Sequence, residues 1–313
     1  MKSATRSAIL GVAAAVFAAA VSPAVHAGES SRGGAFLPLG WDAKGLSLGG
    51  AATVRARGVE CAYWNPANRV YVERAGASVG TVRLVEGLPS RYSTFSAAIG
   101  LGEPASDSAS SRPWHRLTVA LSASQLGLEL AEGSGWSEST LGLSASYAFT
   151  PYSAIGVTAR ALRSATDIAD ADAWGWAVDI GVTERLTRRL WFGVSARDVA
   201  SRISYPERSE SLDPLWNIAF AATDLPGRVS AEFDIVLKRG EIDRLLAGAE
   251  IRVYEEYLVV AGGVDMRLIE GERTIPSFGF GTSYGFAELF AGFSFDPLDA
   301  FGRRTHLTLG VDF

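Results

Sequence analysis

Beyond an apolar N-terminal run, only His115 and His306 could act as general bases, and each falls near the start of a predicted strand. Ser-His-acid chemistry needs three groups converging on one point, and nothing in the spacing brings a serine and a carboxylate to either histidine. Both read as solvated strand-end residues. Two histidines without a paired ligand motif are equally poor material for a metal centre. The one cysteine, Cys61, excludes an internal disulfide framework and any multi-thiolate site, and reads as a small buried thiol. No catalytic residue, metal or cofactor is expected, and the chain reads as a non-enzyme. A formal net charge of −5 speaks against nucleic acid, whose phosphates would repel it.

The remaining chemistry lies in charges at alternating positions: Asp179, Glu232, Asp234, Glu250, Arg252, Asp265 and Arg267. Alternation places side chains on one face of a strand, so these groups share the polar face of their sheets. Ion pairs across neighbouring strands are the plain account of them. Ion selectivity in an enclosed lumen is the sharper one.

The elements that carry those charges read as strands almost continuously from residue 73 to the end. In 228–238, Val229, Ala231, Phe233, Ile235 and Leu237 oppose Ser230, Glu232, Asp234 and Lys238. In 174–183, Trp174, Trp176, Val178, Ile180 and Val182 oppose Gly175, Ala177, Asp179, Gly181 and Thr183. A soluble sandwich and a membrane barrel both alternate in this way. Here the second face is mostly Gly, Ala and Ser, as in a crowded barrel lumen, and the barrel is favoured. A mean hydropathy of +0.14 without a long apolar run after the N-terminus agrees, because the apolar residues are dispersed along strands.

Fourteen strands are predicted, at 73–86, 91–102, 114–126, 138–149, 152–164, 172–185, 189–200, 214–223, 226–238, 243–254, 256–269, 273–284, 286–296 and 304–313. The fold class is therefore all-β, a 14-stranded antiparallel transmembrane β-barrel. An even count puts both ends of the barrel on the periplasmic side. Links at Thr150-Pro151, Leu186-Thr187-Arg188, Leu225-Pro226, Glu255-Glu256 and Gly285-Phe286 read as short periplasmic turns. Those around 165–171, 201–213, 239–242, 270–272 and 297–303 read as longer outer loops, and 103–113 is long where a turn belongs. Gly285-Phe286, as a two-residue II′ hairpin, pairs Tyr284 with Ala287 and Phe278 with Phe293. A turn at Glu255-Glu256 pairs Val253 with Leu258 and Ile251 with Val260. Tyr147, Phe149, Tyr152, Tyr254, Tyr257, Tyr284 and Phe286 gather near strand ends, where amphipathic rings suit a headgroup layer. Phe313 closes an alternating last strand, the form of signal that outer-membrane assembly machinery reads.

Two segments precede the strands. Lys2 and Arg6, the apolar run Ala8 to Val21 and the site Val25-His26-Ala27 read as a signal peptide, residues 1–27, cleaved after Ala27. A retained anchor is the alternative, although the run is shorter than the ~20 residues a spanning helix needs. Residues 28–72 do not alternate. They hold Leu48-Gly49-Gly50-Ala51 and then Ala62-Tyr63-Trp64-Asn65-Pro66-Ala67, small and turn-forming residues suited to a confined space.

Those two motifs resemble the N-terminal signature of the FadL-like superfamily of outer-membrane barrels. The ending Thr305-His306-Leu307-Thr308-Leu309-Gly310-Val311-Asp312-Phe313, and Phe192-Gly193-Val194-Ser195-Ala196-Arg197-Asp198, resemble its PorV/PorQ branch. The resemblance implies a fourteen-stranded barrel at 73–313 and an N-terminal hatch at 28–72, with Gly49, Gly50, Trp64, Asn65 and Pro66 shaping the hatch and a ligand path around it. Members tend to carry an acidic residue before the Trp-Asn-Pro stretch, a place that Glu60 takes here. Two functions follow as expectations: a passive conduit for hydrophobic small molecules in the outer membrane, or a non-transporting interaction barrel that assists secretion or surface attachment of proteins, as in type IX secretion. The implied partners are outer-membrane lipid and the barrel-assembly machinery, with a hydrophobic ligand or secreted proteins according to which function holds.

Overall fold

The computed structural model describes residues 40–83, 90–102, 116–129, 135–167, 172–254, 257–269, 272–296 and 303–313. The expected signal peptide, the long link at 103–113 and His115 lie outside them. Fifteen strands run β1 (Ala75–Arg83), β2 (Ser90–Leu101), β3 (Arg116–Glu129), β4 (Gly135–Thr150), β5 (Ser153–Thr166), β6 (Ala173–Arg185), β7 (Leu190–Ser204), β8 (Ser209–Glu210), β9 (Leu215–Leu225), β10 (Val229–Lys238), β11 (Glu241–Val253), β12 (Leu258–Arg267), β13 (Arg273–Tyr284), β14 (Ala287–Phe295) and β15 (Arg303–Asp312). Short β8 only folds back on the end of β7. The other fourteen pair antiparallel in a closed ring, joined by β6–β7 on one side and β1–β15 on the other.

Burial decides between barrel and sandwich. Along β3, Leu117, Val119 and Leu121 are 39–40% exposed, while Thr118, Ala120 and Ser122 between them are buried. On β10, Phe233 is exposed whereas Glu232 and Asp234 are buried. Apolar residues face out and polar ones in, the reverse of a soluble core, so the sheet is built for a hydrocarbon surround.

The two predicted hairpin registers form as expected: Tyr284 pairs with Ala287, Phe278 with Phe293, Val253 with Leu258 and Ile251 with Val260. Gly285 takes φ +58° while Phe286 keeps a negative φ, the signature of a II′ turn. The expected longer link at 239–242 is corrected: Arg239 and Gly240, at φ +55° and +82°, make a two-residue turn. Positive φ at both central residues suits a type I′ hairpin, which needs no loop.

Tyr254, Tyr284, Phe286 and Phe313 are 57–81% exposed around the turn end, with Phe286 and Phe313 stacked at 5.1 Å. Trp174 and Trp176 stand out at the opposite end of β6. Phe313 also anchors the seam, its carbonyl accepting from the Arg74 amide at 2.9 Å and its amide donating to Ala75 at 2.7 Å.

Residues 40–72 lie inside the ring. They form α1 (Ala43–Ser47) and two 3-10 helices, Gly58–Ala62 and Pro66–Tyr71. α1 touches β12 to β15 and the second 3-10 helix touches β3 to β6, so this luminal segment reaches opposite walls.

The ladder has a wide bulge near the loop end of β6 and β7. Three residues of β7, Arg197 to Val199, face Asp179 of β6 alone, because Ile180 pairs with Ala196 and Val178 with Ala200. Beyond Arg197, β7 leaves β9. The returning chain lays Leu212 and Tyr205 over Leu162, Ala173, Ala177 and Ile203. The Leu212 amide donates to Ser201 Oγ at 2.8 Å and fixes that cover across the loop-end mouth.

Candidate functional site

The luminal segment starts from Asp42, whose carboxylate caps α1 by accepting from the Gly45 amide at 2.7 Å. Trp64 Nε1 donates to the other Asp42 oxygen and so ties the two sequence motifs together. Ala43 donates to Thr308 Oγ1 at 2.8 Å, and Ser277 Oγ donates to the Ser47 carbonyl at 3.0 Å. Gly49 and Gly50 follow at φ +70° and +84°. A Cβ at Gly49 would run into the Val264 backbone, so the pair both turns the chain and lets it touch the wall.

Asn65 is fully buried and uses its whole amide. Its Oδ1 accepts from the Ala67 amide at 3.0 Å and starts the 3-10 helix. The two hydrogens of its Nδ2 are shared among Thr53 O, Val182 O and Thr183 Oγ1 at 3.0–3.2 Å. Pro66 fits the first helical position, where no amide hydrogen is required. Ser146 Oγ donates to its carbonyl at 2.5 Å. Asn68 gathers the carbonyls of Thr53, Val54 and Ala56 at 2.8–3.2 Å and accepts from Thr183 Oγ1 at 2.6 Å. Sequence reasoning passed over Asn68, which lies one turn after Asn65 on the same short helix.

The glycines of the wall explain how backbone meets backbone. A Cβ on Gly156 or Gly181 would overlap Pro66 or Asn65, and one on Gly193 would press on Val54. On the other wall, Gly248 and Gly263 abut Leu48, while Gly279 and Gly292 abut Ser47 and Ala43. The small lumen residues were expected to leave a path around the segment. Instead, at these positions, they seat it.

The predicted lumen charges all lie on inward faces, but they do different things. Glu232 accepts from the Val54 and Arg55 amides at 2.7 and 2.9 Å, and Asp234 from the Thr53 amide at 3.3 Å. Glu250 pairs with Arg55, with Lys44 at 3.9 Å and with Arg252 at 3.8 Å. The expectation of pairing between strands is therefore corrected for Glu232, Asp234 and Glu250, which grip the luminal segment. Consecutive amides of an irregular chain have no ladder partner, and buried carboxylates satisfy them. Asp265 does pair within the wall, with Arg267 at 3.3 Å and Arg244 at 3.8 Å. Arg252 has a 43% exposed side chain at the turn end.

Asp179 belongs to a group that the sequence did not announce. Arg160 holds Asp179 at 2.8 Å and Asp198 at 2.5 Å, and the Asp198 amide donates to Asp179 at 2.9 Å. Asp198 sits at φ +58°, in the left-handed region that a non-glycine residue seldom enters. This group occupies the bulge where β7 parts from β9. Arg197 beside it covers the Tyr63 ring at 4.1 Å.

His306 is corrected from a solvated strand end to a buried inward residue, 2% exposed, with neither ring nitrogen hydrogen-bonded among the described residues. Cys61 is fully buried, its thiol donating to the Gly58 carbonyl at 3.0 Å, and burial pushes its pKa up to about 12. No cluster of metal-ligating residues occurs among the described residues. Glu60 is not beside Asn65 but faces a cleft of about 740 Å³ at the turn end, lined also by Lys44, Arg57, Trp191 and Glu288. Burial, then the nearby Glu288, raises the Glu60 carboxyl well above its ordinary value. Burial alone would lower Lys44, but Glu288 and Glu250 outweigh it and raise the amine.

No protein-family model and no curated protein matches the chain. Solved structures do. The CymD monoaromatic hydrocarbon channel superposes with a TM-score of 0.63 at 12% identity, covering 88% of this chain and 98% of its own. The Pseudomonas putida toluene transporter TodX gives 0.63 at 12% identity, covering 88% and 99%. A Pseudomonas aeruginosa FadL homologue gives 0.58 at 10% identity, covering 87% and 98%. At such identities the likeness shows a shared fold, the FadL-like barrel.

Proposed function

We propose that the chain is an outer-membrane barrel that passes small hydrophobic molecules without an energy source. The observation that carries this reading is the likeness of fold, over nearly the whole chain, to a monoaromatic hydrocarbon channel and a toluene transporter. The outward apolar faces and the exposed aromatics near both ends support a membrane position. Residues 1–27 serve as the signal peptide, cleaved after Ala27, and the turn end, which gathers both ends of the barrel, faces the periplasm. Lipid and the assembly machinery that reads Phe313 are the partners of that state. Residues 28–72 act as a hatch, with Gly49, Gly50, Trp64, Asn65 and Pro66 as its hinge and anchor. A molecule passes the apolar cover at Leu212, moves beside the hatch and leaves through the turn-end cleft.

The test is uptake of toluene or an apolar dye by proteoliposomes. Faster entry than into protein-free vesicles is expected, altered again by deleting 28–66. Entry equal to that of empty vesicles, or untouched by the deletion, would sink the conduit.

A second reading has its own support in the carboxylate grip and glycine seats, which hold the lumen filled. On it the barrel is a non-transporting platform for secretion or surface attachment of proteins, as its PorV/PorQ-like ending suggests. Pull-down from outer membranes distinguishes the two: recovery of secretion components favours the platform, and their absence alongside measurable uptake favours the conduit.

A further inference from the structure

The outer wall carries a dent behind the hatch. Two rows of outward residues cross β3 to β7 in register. One is Leu117, Tyr147, Ile155, Val182 and Val194, and the other holds Ala145, Val157, Ile180 and Ala196. They line an apolar groove of about 420 Å³. Val182, Val194 and Ala196 are only 8%, 3% and 0% exposed although they face outward, so the wall is recessed there. Between the rows lie Ser146, Gly156 and Gly181, and on their inner side sit Asn65 and Pro66. The wall is drawn in where glycine lets it rest on the hatch, and backbone alone separates the groove from the Asn65–Pro66 turn.

The structure assigns this groove to one acyl chain of a phospholipid with an anionic headgroup. The assignment rests on the membrane position proposed above. A second copy of the barrel offers a convex wall that cannot enter a recess, whereas a flexible chain can. Lipid tails are as apolar as the groove, so retention comes from van der Waals contact in a cavity that would otherwise stand empty. Charge supplies the headgroup preference. The β6–β7 turn below the groove exposes Arg188 and Arg189, flanked by Leu186 and Leu190 at 38% and 37% exposure, with half-buried Glu184 and exposed Asp224 the neighbouring acids. Arginines at a membrane surface attract anionic lipid. A seated chain backs the glycine wall from outside and so buttresses the hatch anchor.

The experiment uses the full chain in nanodiscs of phosphatidylcholine containing a trace of phosphatidylglycerol with a photoreactive acyl chain, and maps the adducts by peptide mass spectrometry. Adducts should concentrate on β3–β7 over the opposite wall around Leu307 and Leu309. Ala145→Trp, which fills the groove, should remove that excess, with Ala196→Leu as a second filling variant. Arg188→Glu with Arg189→Glu should cut the preference for tagged phosphatidylglycerol over tagged phosphatidylcholine by roughly tenfold, as expected when two basic residues stop attracting the headgroup. Heat-modifiable mobility on gels confirms that each variant is folded. Equal labelling of both walls, or an excess that both filling variants leave intact, overturns the site. An unchanged headgroup preference overturns the anionic assignment. No labelling of either wall overturns the membrane position and this proposal with it.

Discussion

The luminal segment is held by two walls that use different chemistry. Towards β4–β7 the hydrogen-bonded grip is neutral: glycine backbones, the amides of Asn65 and Asn68, and hydroxyls of Ser146 and Thr183. Towards β10–β15 it is charged: Glu232 and Asp234 on three successive amides, Glu250 on Arg55, and Glu288 on Lys44 at 3.3 Å. The neutral wall fixes position by shape, because any added atom collides. The other wall has glycine seats of its own on β11 to β14 and adds desolvated acceptors, which do not tolerate loss of an oxygen.

The contrast can be broken most strongly at Glu232. Glu232→Leu leaves the Val54 and Arg55 amides without acceptors, and at about 1–3 kcal/mol for each such group the loss should approach 4 kcal/mol. Heat-modifiable gel mobility should show earlier unfolding, and an unchanged midpoint would refute the grip. Gly181→Leu attacks the other wall by overpacking, at a cost of about 3 kcal/mol, and should speed proteolysis within 40–72. Protection equal to the parent would mean that the seat is loose. Asn65→Ala removes a cap and both amide donors and should cost about 1–2 kcal/mol.

The smallest effect is in pH. Burial and Glu288 raise the Glu60 carboxyl, so the folded state keeps a proton that the unfolded chain has already released. Stability from this group is full below the ordinary carboxylate pKa of about 4.3 and falls as pH rises towards the folded value. Glu60→Gln should therefore melt with the parent at pH 4 and slightly above it at pH 8. A parallel offset at both pH values would show that folding does not raise the Glu60 pKa.

The barrel was legible in the sequence because alternation and turn residues are local signals. Fourteen strands, the register at Gly285-Phe286 and the inward side of every named charge follow from period two. Partners were not legible in this way. Parity places Glu232 and Asp234 inside, but their acceptor role depends on amides at Thr53, Val54 and Arg55, some 180 residues earlier in a stretch without a period. The Asp198 bulge escaped notice for a related reason. Its two extra residues restore parity, so the apolar and polar positions on either side of it look uninterrupted.

The seam between β1 and β15 has a consequence for the order of events during folding. Arg83 pairs with Thr305 and Gly76 with Asp312, so the ring closes only when its last strand has been made. The luminal segment sits two residues ahead of β1, yet it bonds to Thr308 on β15, Glu232 on β10 and Thr183 on β6. Contacts of such long sequence separation form late and slowly. The segment synthesised before every strand thus completes its contacts only when the ring shuts around it, and a chain stalled before β15 would hold an unsatisfied interior open to water.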